Sequence, residues 1–245
     1  MNIAIIIAGG VGNRMGQDIP KQFINVYDKP VIVYTLEAFQ RHPQVDAIEV
    51  VCIEGWEAMV WAYARQFNIS KLRWVTEGGR SGQESIRNGV FFLEDKCDEN
   101  DIIIIHDGIR PVVNSEVLTD VIDKCNQYGN AVTSSPCNDQ MFLVDESDEK
   151  STTDYIVRER IRKVTTPQAY RFSLVDKAYH DAFNSGKGLH SSSYTNTMMV
   201  DLGIRLYFAE GSEKNIKLTT VEDLEIFKAI LKSEKQNWIK SKDEL

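Results

Sequence analysis

Two glycine-rich stretches, three cations and one carboxylate carry the chemistry of this sequence. The first stretch is Ala8-Gly9-Gly10-Val11-Gly12-Asn13-Arg14-Met15-Gly16, followed by Pro20-Lys21-Gln22. Glycines at the end of a strand let backbone N–H groups come close enough to cradle phosphate oxygens. Two familiar glycine motifs do not fit. A dinucleotide fingerprint needs glycine where Met15 stands, and a P-loop ends in Gly-Lys-Ser or Gly-Lys-Thr. What remains is a glycine loop with its own cations, Arg14 and Lys21, which suits a triphosphate better than a nicotinamide cofactor.

The second stretch is Gly78-Gly79-Arg80-Ser81-Gly82-Gln83-Glu84-Ser85. Paired glycines before a helix leave room for a base or ribose, with the Ser85 hydroxyl within reach. Ile105-His106-Asp107-Gly108-Ile109-Arg110-Pro111 ends an isoleucine run. A carboxylate there, Asp107, can hold Mg²⁺ beside phosphates. His106 reads as a hydrogen-bonded structural residue. Lys217, in Asn215-Ile216-Lys217-Leu218-Thr219-Thr220, adds a further positive charge. A cation-lined pocket with one carboxylate suits phosphoryl or nucleotidyl transfer, where positioning and charge stabilisation do most of the work.

The elements that must position these residues follow from the hydrophobic pattern. Strands are predicted at Asn2–Ala8, Ala47–Ile53, Leu72–Val75, Asp101–Ile105 and Asn130–Ser135, and helices at Pro30–Arg41, Glu57–Phe67, Gln83–Leu93 and Ser115–Gln127. Four consecutive isoleucines are the continuous apolar signature of a parallel strand covered on both faces. The alternation predicts an α/β fold with a mostly parallel sheet flanked by helices, binding its ligand at the carboxyl ends of the strands. The rhythm breaks between Pro136 and Val164, where short runs at Gln140–Val144 and Tyr155–Val157 flank a charged turn. They predict a projecting β-hairpin arm, at about residues 137–164, inserted in a single domain spanning 1–235. A helix at Leu174–Phe183, a loop at Asn184–Ser193, a strand at Arg205–Ala209 and a helix at Val221–Lys232 follow, with a charged tail at 236–245.

Composition narrows the function classes. Lys plus Arg is 28 against 36 Asp plus Glu, a net charge of −8. An acidic surface argues against nonspecific binding to nucleic acid or anionic membranes, although a locally basic pocket remains compatible with it. Cys52, Cys97, Cys125 and Cys137 form no CxxC pair and read as free thiols in a reducing cytoplasm. No run approaches the ~18 apolar residues of a membrane span. The closing Lys242-Asp243-Glu244-Leu245 spells a retention signal, which matters only to a protein in the secretory pathway. It is read here as a charged helix end.

Taken together, IIAGGxGxRM…PKQF, GGxxxxxS, IIHDxxRP, TPQ and NIKLTTxEDL resemble the cytidylyltransferases that activate methylerythritol phosphate or ribitol phosphate. The resemblance runs from about Ile3 to Leu231. It implies a Rossmann-like nucleotidyltransferase fold and a reaction of CTP with a polyol phosphate, giving a CDP-polyol and pyrophosphate. It assigns Ala8, Gly9, Gly10 and Gly12 to the loop around the nucleotide, and Gly79 and Ser85 to the cytidine. Asp107 falls near the ribose and metal, which implies Mg²⁺ as cofactor. Arg14 and Lys21 match the cations on the α-phosphate, and Lys217 matches a phosphate-binding lysine. Arg158 and Thr166 match residues holding the polyol phosphate, with Gln140 at a neighbouring position of the arm. In the family the arm crosses to a second subunit, which implies a homodimer.

Three departures fall on the acceptor side. Gly82 replaces the usual arginine of the second glycine stretch, with Arg80 two residues earlier. Gln140 replaces a threonine, and Thr195-Asn196-Thr197-Met198-Met199 lacks the acidic residues of the methylerythritol enzymes. The segment Gln83–Gly89 resembles the methylerythritol branch, so 2-C-methyl-D-erythritol 4-phosphate is the expected acceptor, with D-ribitol 5-phosphate as the alternative. A catalytically silent nucleotide-binding homologue is the competing reading from another class. Intact Arg14, Lys21, Asp107 and Lys217 argue against it.

Overall fold

A computed structural model describes residues 1–10, 19–190 and 194–243, with side chains as far as residue 233. β1 (Asn2–Ala8) is followed by a 3-10 turn at Lys21–Phe23 and a small hairpin, β2 (Asn25–Val26) and β3 (Lys29–Pro30). The chain then alternates: α1 (Val31–Arg41), β4 (Ala47–Cys52), α2 (Glu57–Gln66), β5 (Leu72–Glu77), α3 (Gly82–Phe92) and β6 (Ile102–Asp107). Next come α4 (Ser115–Tyr128), β7 (Asn130–Pro136), the arm strands β8 (Met141–Leu143) and β9 (Asp154–Ile156), and β10 (Arg162–Arg171). α5 (Phe172–Ser185), α6 (Thr195–Asp201), β11 (Phe208–Glu210) and α7 (Val221–Asp243) close the order.

Seven strands form one sheet in the order β11-β7-β10-β6-β1-β4-β5. β1 pairs in parallel with β4 and β6, β4 with β5, and β7 with β11. Only β10 runs against its neighbours, β6 and β7. The isoleucine strand β6 is therefore central, and Ile102, Ile103, Ile104 and Ile105 are all buried. Alternate residues feed opposite layers, because side chains on a strand point to alternating faces. Ile102 and Ile104 pack with residues of α1, α2 and α4, whereas Ile103 and Ile105 pack with residues of α3, α5 and α6. Each such side chain is worth about 1.5–3 kcal/mol when fully removed from water. The expected α/β architecture is present, flanked by helices on both faces.

The differences from expectation have local causes. β10 is missing from the sequence reading because Pro167 normally argues against a central strand. Here Pro167 sits in the register irregularity between Val164 and Gln168, where no regular ladder bond is required of it. α6 falls in a stretch given no element, and β11 begins three residues later than Arg205. α7 continues to Asp243 rather than stopping at Lys232. Asn114 is the N-cap of α4, its side chain accepting from the Val117 N–H at 3.1 Å. The four cysteines are free. Among the described residues no helix is long and apolar enough to cross a membrane.

Candidate active site

At the carboxyl edge of the sheet lies a cleft of about 380 Å³, within the size range of small-molecule sites. Ala8, Gly9, Gly10, Lys21, Gly79, Ser85, Asp107 and Lys217 all line it, so eight residues from four separate motifs converge. Gly12 and Arg14 lie outside the described residues.

The floor is held by side chains that serve the backbone. Gln22 is 1% exposed, and its Nε2 donates to the carbonyls of Ala8 at 2.6 Å and Gly10 at 3.1 Å. That pair fixes the start of the first glycine loop. Gln22 is itself held by the 3-10 turn, whose Phe23 stacks on Trp56 with ring centroids 4.4 Å apart. The second loop is tied by Ser85: its Oγ accepts from the Gly79 N–H at 3.0 Å and donates to the Ser81 carbonyl at 2.9 Å. Ser81 in turn caps α3, accepting from the Glu84 N–H at 3.1 Å. A Cβ on Gly79 would collide with the Glu84 side chain and backbone, and one on Gly9 would lie 3.0 Å from Ser85 Oγ. The two glycine loops thus pack against each other through Ser85. Arg80 and Gly82, two residues apart, also line the cleft, and Gly82 opens α3.

The far wall is ionic. Asp107 Oδ2 is 3.0 Å from Arg110 Nε and 3.2 Å from Lys217 Nζ. Burial pushes the Asp107 carboxyl upward, but Lys217 and Arg110 outweigh it and hold the group below its ordinary value. It is a carboxylate at neutral pH. The Asp107 N–H donates to Thr166 Oγ1 at 3.2 Å, which brings Thr166 beside it. Arg110 reaches on to the Asn215 carbonyl at 2.7 Å, and Asn215 Nδ2 donates to the Thr166 carbonyl at 2.6 Å. Three segments, the end of β6, the middle of β10 and the loop before α7, are joined in this way.

Asp107 is the only carboxylate among the described residues lining the cleft. Both of its ion pairs fall on Oδ2. Mg²⁺ is commonly bound by one or two carboxylates together with substrate phosphates and water. The donor set fits Mg²⁺ on those terms, with the phosphates supplying the remaining oxygens.

His106 is fully buried, with Nε2 3.0 Å from the Arg110 carbonyl and its ring 5.1 Å from that of Phe39. Burial lowers its pKa to about 4. The imidazole is neutral, donates through Nε2, and is structural as expected. Gln140 and Arg158 do not join the cleft within one chain. Gln140 is exposed just before β8. Arg158 is exposed on a short 3-10 turn after β9, lining a separate hollow with Arg160, Arg162 and Phe208.

Sequence reasoning missed Gln22, Arg110 and Tyr194. The first two stand inside quoted motifs, but their roles depend on which carbonyls lie opposite them. Tyr194 lines the cleft from the start of α6.

A doubly wound sheet carrying a glycine loop, cations and one carboxylate at its carboxyl edge defines a nucleotidyltransferase. Residues 2–233 match the family model described as IspD, 2-C-methyl-D-erythritol 4-phosphate cytidylyltransferase, and the chain belongs to that family. Its activity is that of a CTP-dependent cytidylyltransferase acting on a phosphorylated polyol. A ribitol-5-phosphate cytidylyltransferase of Lacticaseibacillus paracasei is 56% identical, covering 95% of this chain and 98% of its own. A 2-C-methyl-D-erythritol 4-phosphate cytidylyltransferase of Syntrophotalea carbinolica is 34% identical, covering 94% and 97%. Among solved structures, a 4-diphosphocytidyl-2C-methyl-D-erythritol synthase from Anaerococcus prevotii shares the fold with a TM-score of 0.79, at 21% identity, over 94% of this chain and 95% of its own.

Proposed function

We propose that the chain transfers CMP from CTP to D-ribitol 5-phosphate, releasing pyrophosphate. One observation carries the choice of acceptor. The relative at 56% identity over nearly the full length is named for ribitol 5-phosphate, whereas the methylerythritol relative reaches 34%. The expected methylerythritol acceptor is therefore set aside in favour of the alternative. The loss of acidic residues at Thr195–Met199 is in keeping with that change.

The reaction needs no enzyme nucleophile. A phosphate oxygen of the acceptor attacks the α-phosphorus of CTP in line, and pyrophosphate leaves. The glycine loops receive the nucleotide, with Gly79 and Ser85 framing the cytidine. Lys21 and Arg14 stabilise charge on the α-phosphate as it becomes five-coordinate, and Lys217 holds phosphate at the acceptor end. Asp107 would hold Mg²⁺, which when bound neutralises triphosphate charge. Thr166, beside Asp107, would meet the acceptor.

The active form is a homodimer through the arm. Phe142, Leu143, Val144, Tyr155 and Val157 are all exposed in a single chain. A two-stranded hairpin is marginal in water on its own, so a covering surface on a second copy is expected. Arg158 and Gln140, remote from the cleft of their own chain, would then reach the partner's acceptor end.

Pyrophosphate release with CTP tests this reading, using ribitol 5-phosphate and methylerythritol 4-phosphate as acceptors and UTP and ATP as nucleotide controls. Higher kcat/KM with ribitol 5-phosphate is expected. Preference for methylerythritol 4-phosphate would reverse the choice of acceptor, and release with neither would point to the silent homologue.

A further inference from the structure

The cleft has two unlike ends. Gly9, Gly10, Gly79 and Ser85 make one of backbone and small side chains. Asp107, Ile109, Lys217 and Tyr194 make the other. Asp107 and Lys217 answer to charge, and Ile109 also packs into the buried cluster with Phe227. Tyr194 is explained by neither. It is 59% exposed, and its ring centroid lies 5.9 Å from Lys217 Nζ.

The backbone beneath that ring is fixed. The Tyr194 N–H donates to Thr197 Oγ1 at 2.7 Å, and its carbonyl accepts from the Met198 N–H at 2.9 Å and the Thr197 hydroxyl at 3.0 Å. The next residue, Thr195, is buried, with Oγ1 2.8 Å from the Tyr179 hydroxyl. Tyr179 is buried as well and donates to Gln83 Oε1 at 2.8 Å. Gln83 stands on the cleft wall at the start of α3. A chain of buried polar groups therefore anchors the start of α6 to the opposite wall and leaves the aromatic ring uncovered beside Lys217.

An aromatic side chain offers a large apolar face with few rotatable bonds, and a tyrosine adds a hydroxyl at its tip. A linear polyol phosphate has the complementary make-up, with C–H faces alternating with hydroxyls and an anion at one end. We propose that Tyr194 is a specificity-determining residue that contacts the acceptor. Its ring covers the C–H face of the polyol, its hydroxyl bonds a polyol hydroxyl, and its π face steadies the Lys217 ammonium at the phosphate end. The inference rests on the acceptor proposed above. Ribitol 5-phosphate is an unbranched chain, longer by one carbinol carbon and its hydroxyl, whereas methylerythritol 4-phosphate is shorter and carries a methyl branch, so the phenol hydroxyl bears on the choice between them. A site built to bond a hydroxyl discriminates more strongly than one that only accommodates apolar bulk.

The test compares the wild-type enzyme with Tyr194→Phe and Tyr194→Ala, each assayed for KM and kcat with both acceptors and for KM with CTP. Tyr194→Phe keeps the ring and should raise the KM for ribitol 5-phosphate about threefold to tenfold, as expected for one lost hydrogen bond. Tyr194→Ala should raise it further, by about ten- to a hundredfold, as expected for loss of a hydrogen bond together with an aromatic contact. Both should narrow the preference for ribitol 5-phosphate over methylerythritol 4-phosphate and leave the KM for CTP unchanged. An unchanged acceptor KM in both variants, or a rise in the CTP KM instead, overturns the role. If the wild type uses only methylerythritol 4-phosphate, the acceptor proposal fails by itself, and Tyr194 is then judged by the same KM comparison with that substrate. Release with neither acceptor overturns both.

Discussion

The cleft and the β8–β9 arm treat polar and apolar groups in opposite ways. In the cleft, apolar surface is buried beneath the site and polar groups are paired twice over. Gln22 holds two carbonyls, Ser85 holds both sides of a glycine turn, and Asp107 takes two cations. In the arm, every residue of both strands is exposed, including Phe142 at 55% and Tyr155 at 61%. The first region is preorganised for charge by contacts within one chain. The second has a defined shape, but nothing among the described residues covers it. On the proposed reading the cleft serves chemistry and the arm assembly, and the contrast can be tested from either side.

The largest effect should come from the cleft. Lys21→Ala is expected to lower kcat by about a hundred- to a thousandfold with little change in the KM for CTP, because its charge matters most in the transition state. Near-normal kcat would remove Lys21 from the machinery. The arm comes next. Phe142→Asp with Tyr155→Asp should convert a dimer to a monomer by light scattering and reduce activity about tenfold or more, a loss of the size given by truncating one polar contact to substrate. A monomer with full activity would separate the arm from the site.

A smaller and more local contrast lies between two glycines of the cleft. Gly79→Ala should raise the KM for CTP about tenfold, because its methyl has no room beside Glu84. Gly10→Ala meets nothing within 4 Å among the described residues, so it should leave Tm unchanged where Gly79→Ala lowers it. Equal behaviour of the two would mean that steric packing does not shape this loop.

The smallest expected effect concerns the sheet behind the cleft. Glu49, on β4, is 0% exposed, and burial raises its pKa from 4.5 to about 8 despite the Thr76 hydroxyl donating to Oε1 at 2.7 Å. The folded state holds this proton more tightly than the unfolded chain. Its contribution is complete below pH 4.5 and is lost as pH rises toward and through 8. Glu49→Gln should flatten the dependence of Tm on pH across that window and leave the oligomeric state of the arm unchanged. A pH dependence identical to wild type would locate the titration elsewhere.

Much of the molecule is legible without coordinates, for reasons tied to particular residues. The isoleucine strand announces itself because burial on both faces removes every polar position. The glycine loops announce themselves because few residue types allow close approach of backbone to phosphate. Lys21, Asp107 and Lys217 follow, since open parallel sheets collect ligands at one edge. β10 was hidden by Pro167, whose permissive position is visible only once the register is known. Tyr194 was hidden because an isolated tyrosine in a polar segment has no spacing signal.

The sequence by itself determined the alternation of elements, the edge of the sheet where its motifs meet, and the residue types suited to phosphate. These are local properties: periodicity, glycine content and charge are written along the chain. Tertiary structure alone decided that Gln22 and Ser85 serve the loops rather than standing free, that Arg110 and Lys217 share one carboxylate oxygen, and that Tyr194 faces Lys217. Those contacts join residues far apart in sequence. Their partners are set by the packing of the sheet layers, which no single stretch of chain encodes.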